Sequence, residues 1–175
     1  MALKIKRKNT KAVTIGKVVI GSKHPILIQS MTKVPTKDIR SVLRQLEDLK
    51  AVGCEIVRVA VKDMQDAQAI AKIKKQSRVP LVADIHFNYK FALQAVDSGV
   101  DKIRINPGNI FKKSEWKAIA EKIKERNIPI RIGVNSGSLR ENYLKLKNTE
   151  TALVKQADDC IKAFEDLGVR NIVVS

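Results

Sequence analysis

Aromatic residues are scarce in this chain, 4% of 175 residues, and histidine occurs only twice. Single-stranded nucleic acids are held by aromatic rings interleaved with cations. So few rings speak against a specific nucleic-acid platform. Cysteine also occurs only twice, as Cys54 and Cys160, and neither belongs to a CxxC pair. That excludes a disulfide framework or a zinc ribbon and fits a reduced, cytoplasmic chain whose cysteines serve as small apolar core residues. No apolar run approaches the roughly 18 residues that span a bilayer. The basic N-terminus is not followed by the apolar core of an export signal, so no membrane association is expected. No phosphate-binding fingerprint of the GxGxxG or GxxxxGK type follows the first candidate strand. Acid is in short supply too, 18 Asp and Glu against 34 Lys and Arg, for a formal charge of +16. That excess attracts polyanions and phosphorylated metabolites. Five of the cations, Lys4, Lys6, Arg7, Lys8 and Lys11, form a basic N-terminal arm.

The remaining sequence alternates short Val- and Ile-rich runs with amphipathic segments. Strands are predicted near 25–29, 55–61, 80–85, 101–105, 129–134 and 171–175, and helices near 38–51, 63–77, 88–98, 115–126 and 149–167. In the first helix Ile39, Val42, Leu43, Leu46 and Leu49 share one stripe. Asp63, Asn88, Ser114 and Thr149 stand at N-cap positions, and Gly53, Gly99 and Gly168 where left-handed C-caps belong. Strand after helix after strand means parallel pairing. The joints alternate between glycine at Gly53, Gly99 and Gly168 and proline at Pro80 and Pro129, a unit of two βα pairs recurring at roughly 46 to 49 residues from Gly53 to Gly99 and from Pro80 to Pro129, with a longer interval before Gly168. The fold class is therefore α/β, an incomplete TIM-type (β/α) barrel with about six parallel strands and five helices. Val13–Ile15 and Val18–Ile20, split by Gly16-Lys17, form a small N-terminal β-hairpin that plugs the barrel's bottom. Residues 1–24 comprise the arm and hairpin, and 25–175 the first part of the barrel. A closed barrel has eight pairs, so the sequence reads as truncated, with raw sheet edges that favour self-association.

Side chains two apart on a strand share a face. Arg58 lies with Ile56 and Ala60; Asp84 with His86; Lys102, Arg104 and Asn106 together; Arg131, Gly133 and Asn135 together; Gln29 opposes Ile28. The aliphatic faces meet the helices, leaving the polar ones for the lumen and, mostly, for the carboxyl end where barrels carry their sites. Four cations, Arg58, Lys102, Arg104 and Arg131, face one carboxylate, Asp84. Buried cations require neutralisation, and guanidinium groups match phosphate oxygens in pairs. The loop Asn135-Ser136-Gly137-Ser138 and the turn Asn106-Pro107-Gly108-Asn109 add small donors. Plainer roles compete: Arg58 and Asp84 as a structural ion pair, His86 as a hydrogen-bonded core residue, Asn106 and Asn109 as turn formers. A metal at Asp84 and His86 is the weakest alternative, since the other histidine, His24, lies in a surface turn.

The stretches IQSMT (28–32), GCEIVRVAV (53–61), VPLVADIHF (79–87), GVDKIRINPGNI (99–110) and IRIGVNSGS (130–138) closely resemble the 4-hydroxy-3-methylbut-2-enyl diphosphate synthases of the non-mevalonate isoprenoid pathway. The resemblance implies an oxidoreductase that opens the ring of 2-C-methyl-D-erythritol 2,4-cyclodiphosphate and removes a hydroxyl with two electrons from ferredoxin or flavodoxin. It implies a [4Fe-4S] cluster in a separate C-terminal domain, absent here. Arg58, Arg104, Arg131 and Asn135 match that family's substrate-gripping positions, and Asp84, His86 and Asn106 match polar positions lining the same cavity. Cys54 and Cys160 match none of its cluster ligands. No metal and no catalytic residue is assigned, and the chain alone is expected to be inactive. Two readings of other kinds stay open: a pterin-binding barrel similar to dihydropteroate synthase, and a basic nucleic-acid-binding module.

Overall fold

The computed structural model describes residues 8–175. Lys4, Lys6 and Arg7 of the basic arm lie outside the described residues. Lys11 is tied down, its ammonium donating to the Arg170 carbonyl at 3.1 Å. Strands β1 (Val13–Ile15) and β2 (Val18–Ile20) form an antiparallel hairpin. It turns at Gly16, whose φ of 57° an L side chain rarely adopts.

Six parallel strands follow in sequential order: β3 (Gln29–Met31), β4 (Ile56–Val61), β5 (Leu81–Ile85), β6 (Lys102–Ile105), β7 (Ile130–Ile132) and β8 (Ile172–Val174). Between them run α1 (Ile39–Ala51), α2 (Met64–Gln76), α3 (Tyr89–Asp97), α4 (Lys113–Glu125), the single turn α5 (Glu141–Leu144) and α6 (Thr149–Asp166). Each long helix packs on its neighbour, α1 on α2, α2 on α3, α3 on α4 and α4 on α6. That is the outer layer of a barrel wall.

The main core lies between wall and helices. Val57, Val59, Val61, Leu81, Ala83, Ile85, Ile103, Ile105, Ile130 and Ile132 point outward into one cluster with Ile70, Ile119 and Phe164. Burying each large aliphatic side chain contributes roughly 1.5–3 kcal/mol. A second, smaller cluster sits on the opposite face: Ile15 packs on Ile56 and Val82, flanked by Val18, Ile20 and Leu27. The hairpin therefore covers the lumen at the amino ends of the strands, leaving the carboxyl ends for polar side chains.

Asp63 and Asn88 cap their helices, accepting from the Asp66 and Lys90 N–H groups at 2.9 Å. Gly53, Gly99 and Gly168 have φ of 86°, 84° and 82°, the left-handed conformation their C-cap role demands. Three local expectations are corrected. The first barrel strand begins at Gln29, not at 25, because the paired register starts where Gln29 meets Ile56; Ile26 and Ile28 precede it and are exposed. The cap of α4 is Lys112 rather than Ser114, with Glu115 accepting from the Lys112 N–H at 3.4 Å. The cap of α6 is Asn148 rather than Thr149, accepting from Thr151 at 2.8 Å. A sixth helix, α5, joins the five predicted, beside a 3-10 turn at Ser136–Ser138.

Candidate anion site in the barrel lumen

Residues paired in parallel strands point the same way, so the register stacks the lumen side chains in rungs. One rung carries Met31, Arg58, Val82 and Lys102. The next, toward the carboxyl ends, carries Ala60, Asp84, Arg104 and Arg131. The four strand-borne cations thus converge on one surface with Asp84 among them.

Asp84 is 7% exposed at its side chain and is shared. Its Oδ1 lies 3.0 Å from a terminal nitrogen of Arg104, and its Oδ2 lies 3.6 Å from Arg58 Nε and 4.0 Å from His86 Nε2. The ion pair expected between Arg58 and Asp84 is therefore the looser of two. Arg58 Nε also meets Met31 Sδ at 3.2 Å. One carboxylate orders two guanidiniums and leaves two cations without an acid. Arg131 donates from Nε to Ser175 Oγ at 2.9 Å. Burial lowers the pKa of Arg131 from its ordinary value, Arg58 and Arg104 lower it further, and Asp84 offsets part of this. Lys102 is only 2% exposed and has no acceptor among the described residues. Its amine falls to about 8, through burial first and then the charges of Arg131 and Arg58.

Gly133 continues the β7 side of this surface. A Cβ there would meet Arg104 Nε at 2.6 Å, so the guanidinium of Arg104 lies across the strand because this residue is glycine. Arg104 also donates to the Gly133 carbonyl at 3.4 Å.

The two asparagines belong to one hydrogen-bond chain. Asn106 is buried; its Oδ1 accepts from the Gly108 N–H at 2.9 Å and its Nδ2 donates to Ser138 Oγ at 2.8 Å. Ser138 donates in turn to Asn135 Oδ1 at 2.8 Å. Asn106 is thus a turn former and a brace at once. Asn135 keeps its amide NH2 for another acceptor, and the leading N–H groups of the 3-10 turn, at Ser136 and Gly137, lack an intrahelical partner as such turn starts do. His86 is half-buried at the mouth, edge-on to Phe87 with ring centroids 6.0 Å apart. It is not a core residue. Beside it opens a cleft of about 520 Å³ lined by Met31, Thr32, Val34, Lys37, Lys62 and His86. Asp66 frames that cleft, accepting from the Lys37 and Lys62 N–H groups at 2.9 and 3.1 Å.

Sequence reasoning placed all seven candidates, Arg58, Asp84, His86, Arg104, Asn106, Arg131 and Asn135, on or beside this surface. It named Ser138 only as a small donor of the loop after β7, and it left out Met31, which lies beyond the predicted end of the first strand at 29. Lys102 was on the right face by parity but in no matched family position. An iron–sulfur cluster does not fit the described residues. No three metal-ligating side chains come together among them. Cys54, in the connection before β4, and Cys160, on α6, are both buried, and burial pushes the Cys160 thiol up to about 12, away from the thiolate that ligation needs.

Six parallel strands, their helices outside and a lumen lined with cations define a TIM-type barrel portion. The chain belongs to the GcpE TIM-barrel domain family, whose model matches residues 10–175. It is 48% identical, over its whole length, to 4-hydroxy-3-methylbut-2-en-1-yl diphosphate synthase (flavodoxin) of Shouchella clausii. It is 49% identical over 97% of its length to the protein of that name in Brevibacillus brevis. It spans 48% of each, so the chain covers about half the length of the curated relatives it matches. Among solved structures, dihydropteroate synthase of Yersinia pestis superposes with a TM-score of 0.70 at 10% identity, covering 93% of this chain and 61% of that one. The enzyme of Vibrio fischeri gives 0.67 at 14%, covering 94% and 66%. Likeness at such identity shows the barrel fold alone.

Proposed function

We propose that this chain is the diphosphate-gripping barrel portion of a 4-hydroxy-3-methylbut-2-en-1-yl diphosphate synthase, with 2-C-methyl-D-erythritol 2,4-cyclodiphosphate as its ligand. One observation carries the proposal: four cations and a single carboxylate share one lumen surface, on two successive rungs of the wall. A dianionic diphosphate is the complement of that imbalance. Arg58, Arg104 and Arg131 hold the phosphate oxygens, Asn135 donates from its amide, and Asp84 fixes the angle of two guanidiniums. His86 and Asn106 line the same cavity. The reductive step of this activity requires an iron–sulfur cluster that the described residues do not hold, fed by a flavodoxin or ferredoxin. The chain by itself binds and orients. No helix among the described residues is long and apolar enough to cross a membrane, and the two unpaired, buried cysteines favour a cytoplasmic setting. The unpaired sides of β3 and β8 favour self-association.

Isothermal titration with the cyclodiphosphate tests this. The wild-type chain gives binding that weakens as salt is added. Arg104→Ala/Arg131→Ala loses at least about a hundredfold in affinity, since each hydrogen bond to a charged group contributes roughly 1.5–3 kcal/mol. Equal heats for the two proteins would sink the assignment.

A further inference from the structure

Lys102 has a place in the lumen that neither the Asp84 ion pairs nor the family motifs explain. It occupies the rung of Arg58, one below Asp84 and Arg104, beside Val82 of the small apolar cluster that the hairpin closes. At 2% exposure it has no acid and no hydrogen-bond acceptor among the described residues. An unpaired ammonium in such a place is unfavourable, and a methionine or leucine would fill the same volume without a charge.

The charged groups around it are Arg58 from β4, Asp84 from β5, Arg104 from β6 and Arg131 from β7. The hairpin packs Ile15, Val18 and Ile20 against the apolar cluster beneath this face. Asp101, next in sequence, points to the other side, where Lys74 at 2.6 Å and the Leu81 N–H at 2.8 Å engage it. Three cations and one shared carboxylate therefore surround a fourth cation, and the missing element is negative charge.

We propose that Lys102 is the floor of the anion site: it binds the inner phosphate of a diphosphate ligand and takes a proton from solvent as that ligand loads. The proposal rests on the diphosphate reading and adds a residue and a proton to it. In the free chain the amine titrates near 8. A dianion against it restores the ammonium, so above that value the complex holds one more proton than its separated components. Affinity then falls as pH rises from the free value toward the higher value of the complex.

The cyclodiphosphate suits the test because each phosphorus carries one strongly acidic hydroxyl, and its charge does not change in this range. Titration calorimetry at about pH 7 and about pH 9.5, in buffers of differing ionisation enthalpy, reads affinity and proton uptake together. Wild type loses roughly thirtyfold in affinity over that interval and takes up close to one proton at the upper end. Lys102→Met binds about tenfold more weakly at pH 7, with a flat profile and no uptake. If Lys102→Met keeps both the affinity and the pH profile of wild type while Arg104→Ala/Arg131→Ala abolishes binding, Lys102 is not the floor and the diphosphate reading stands. If wild type fails to bind, both fall. Should Lys102→Met not fold, nitrogen NMR of labelled lysines in wild type decides. One amine titrating near 8 moves upward under saturating ligand, and an unmoved resonance overturns the proposal.

Discussion

At the scale of the residue, the cost of Lys102 should be measurable without any ligand. Its amine is held to about 8 against an ordinary 10.5. The unfolded chain therefore binds the extra proton between those values and the folded chain does not. Stability then rises with pH across that window, and the full penalty is present below the folded value. At about 1.4 kcal/mol per pH unit the penalty is on the order of 3 kcal/mol. Urea unfolding in buffers free of phosphate and sulfate gives Lys102→Met about 1–3 kcal/mol more stability than wild type at pH 7. The gap narrows toward pH 10. A gap independent of pH would mean that the lysine is not desolvated. That four cations share a face was legible in the sequence, because alternation is a property of the extended backbone. That Asp84 sits nearer Arg104 than Arg58 was not. Partner choice depends on the stagger between strands, which no single strand encodes.

At the scale of the element, the loops after β6 and β7 act as one unit. Asn106, Gly108 and Ser138 lock them together, and a Cβ on Gly108 would lie 1.9 Å from the Ser138 carbonyl oxygen. Gly108→Ala must push backbone against backbone. We expect a loss of about 1–3 kcal/mol, or several degrees in Tm for a chain of this size. Anion affinity drops with it because Asn135 loses its brace. An unchanged Tm would show that the loops part freely. The long helices were readable from their apolar stripes and glycine C-caps. The α4 and α6 caps moved by one or two residues because more than one side chain could serve at each start. The short α5 escaped because four residues carry no period. It is fixed from outside, by the Tyr143 hydroxyl donating to Asp159 on α6 at 3.0 Å and by α6's Gln156 accepting from the Arg140 N–H at 3.0 Å.

At the scale of the whole molecule, two tendencies oppose each other. Among the described residues β3 and β8 are the outer strands of the six-stranded sheet, so each has one side with no strand partner there. Ile26, Ile28 and Val174 stand exposed at or beside those edges, a combination that invites pairing with another chain. Against this works the formal charge of +16, whose repulsion reaches over a Debye length of about 10 Å at 0.1 M salt and about 3 Å at 1 M. Ladder formation and apolar burial act at contact and are not screened in this way. Raising the salt should therefore weaken the repulsion and leave the attraction. Sedimentation velocity is expected to show oligomers growing with both protein concentration and ionic strength. Ile28→Lys, which adds charge beside the β3 edge, should shift the distribution back toward monomer. A monomer that persists at high concentration and high salt would mean that the edges are protected by their own twist, and the pairing argument would fail.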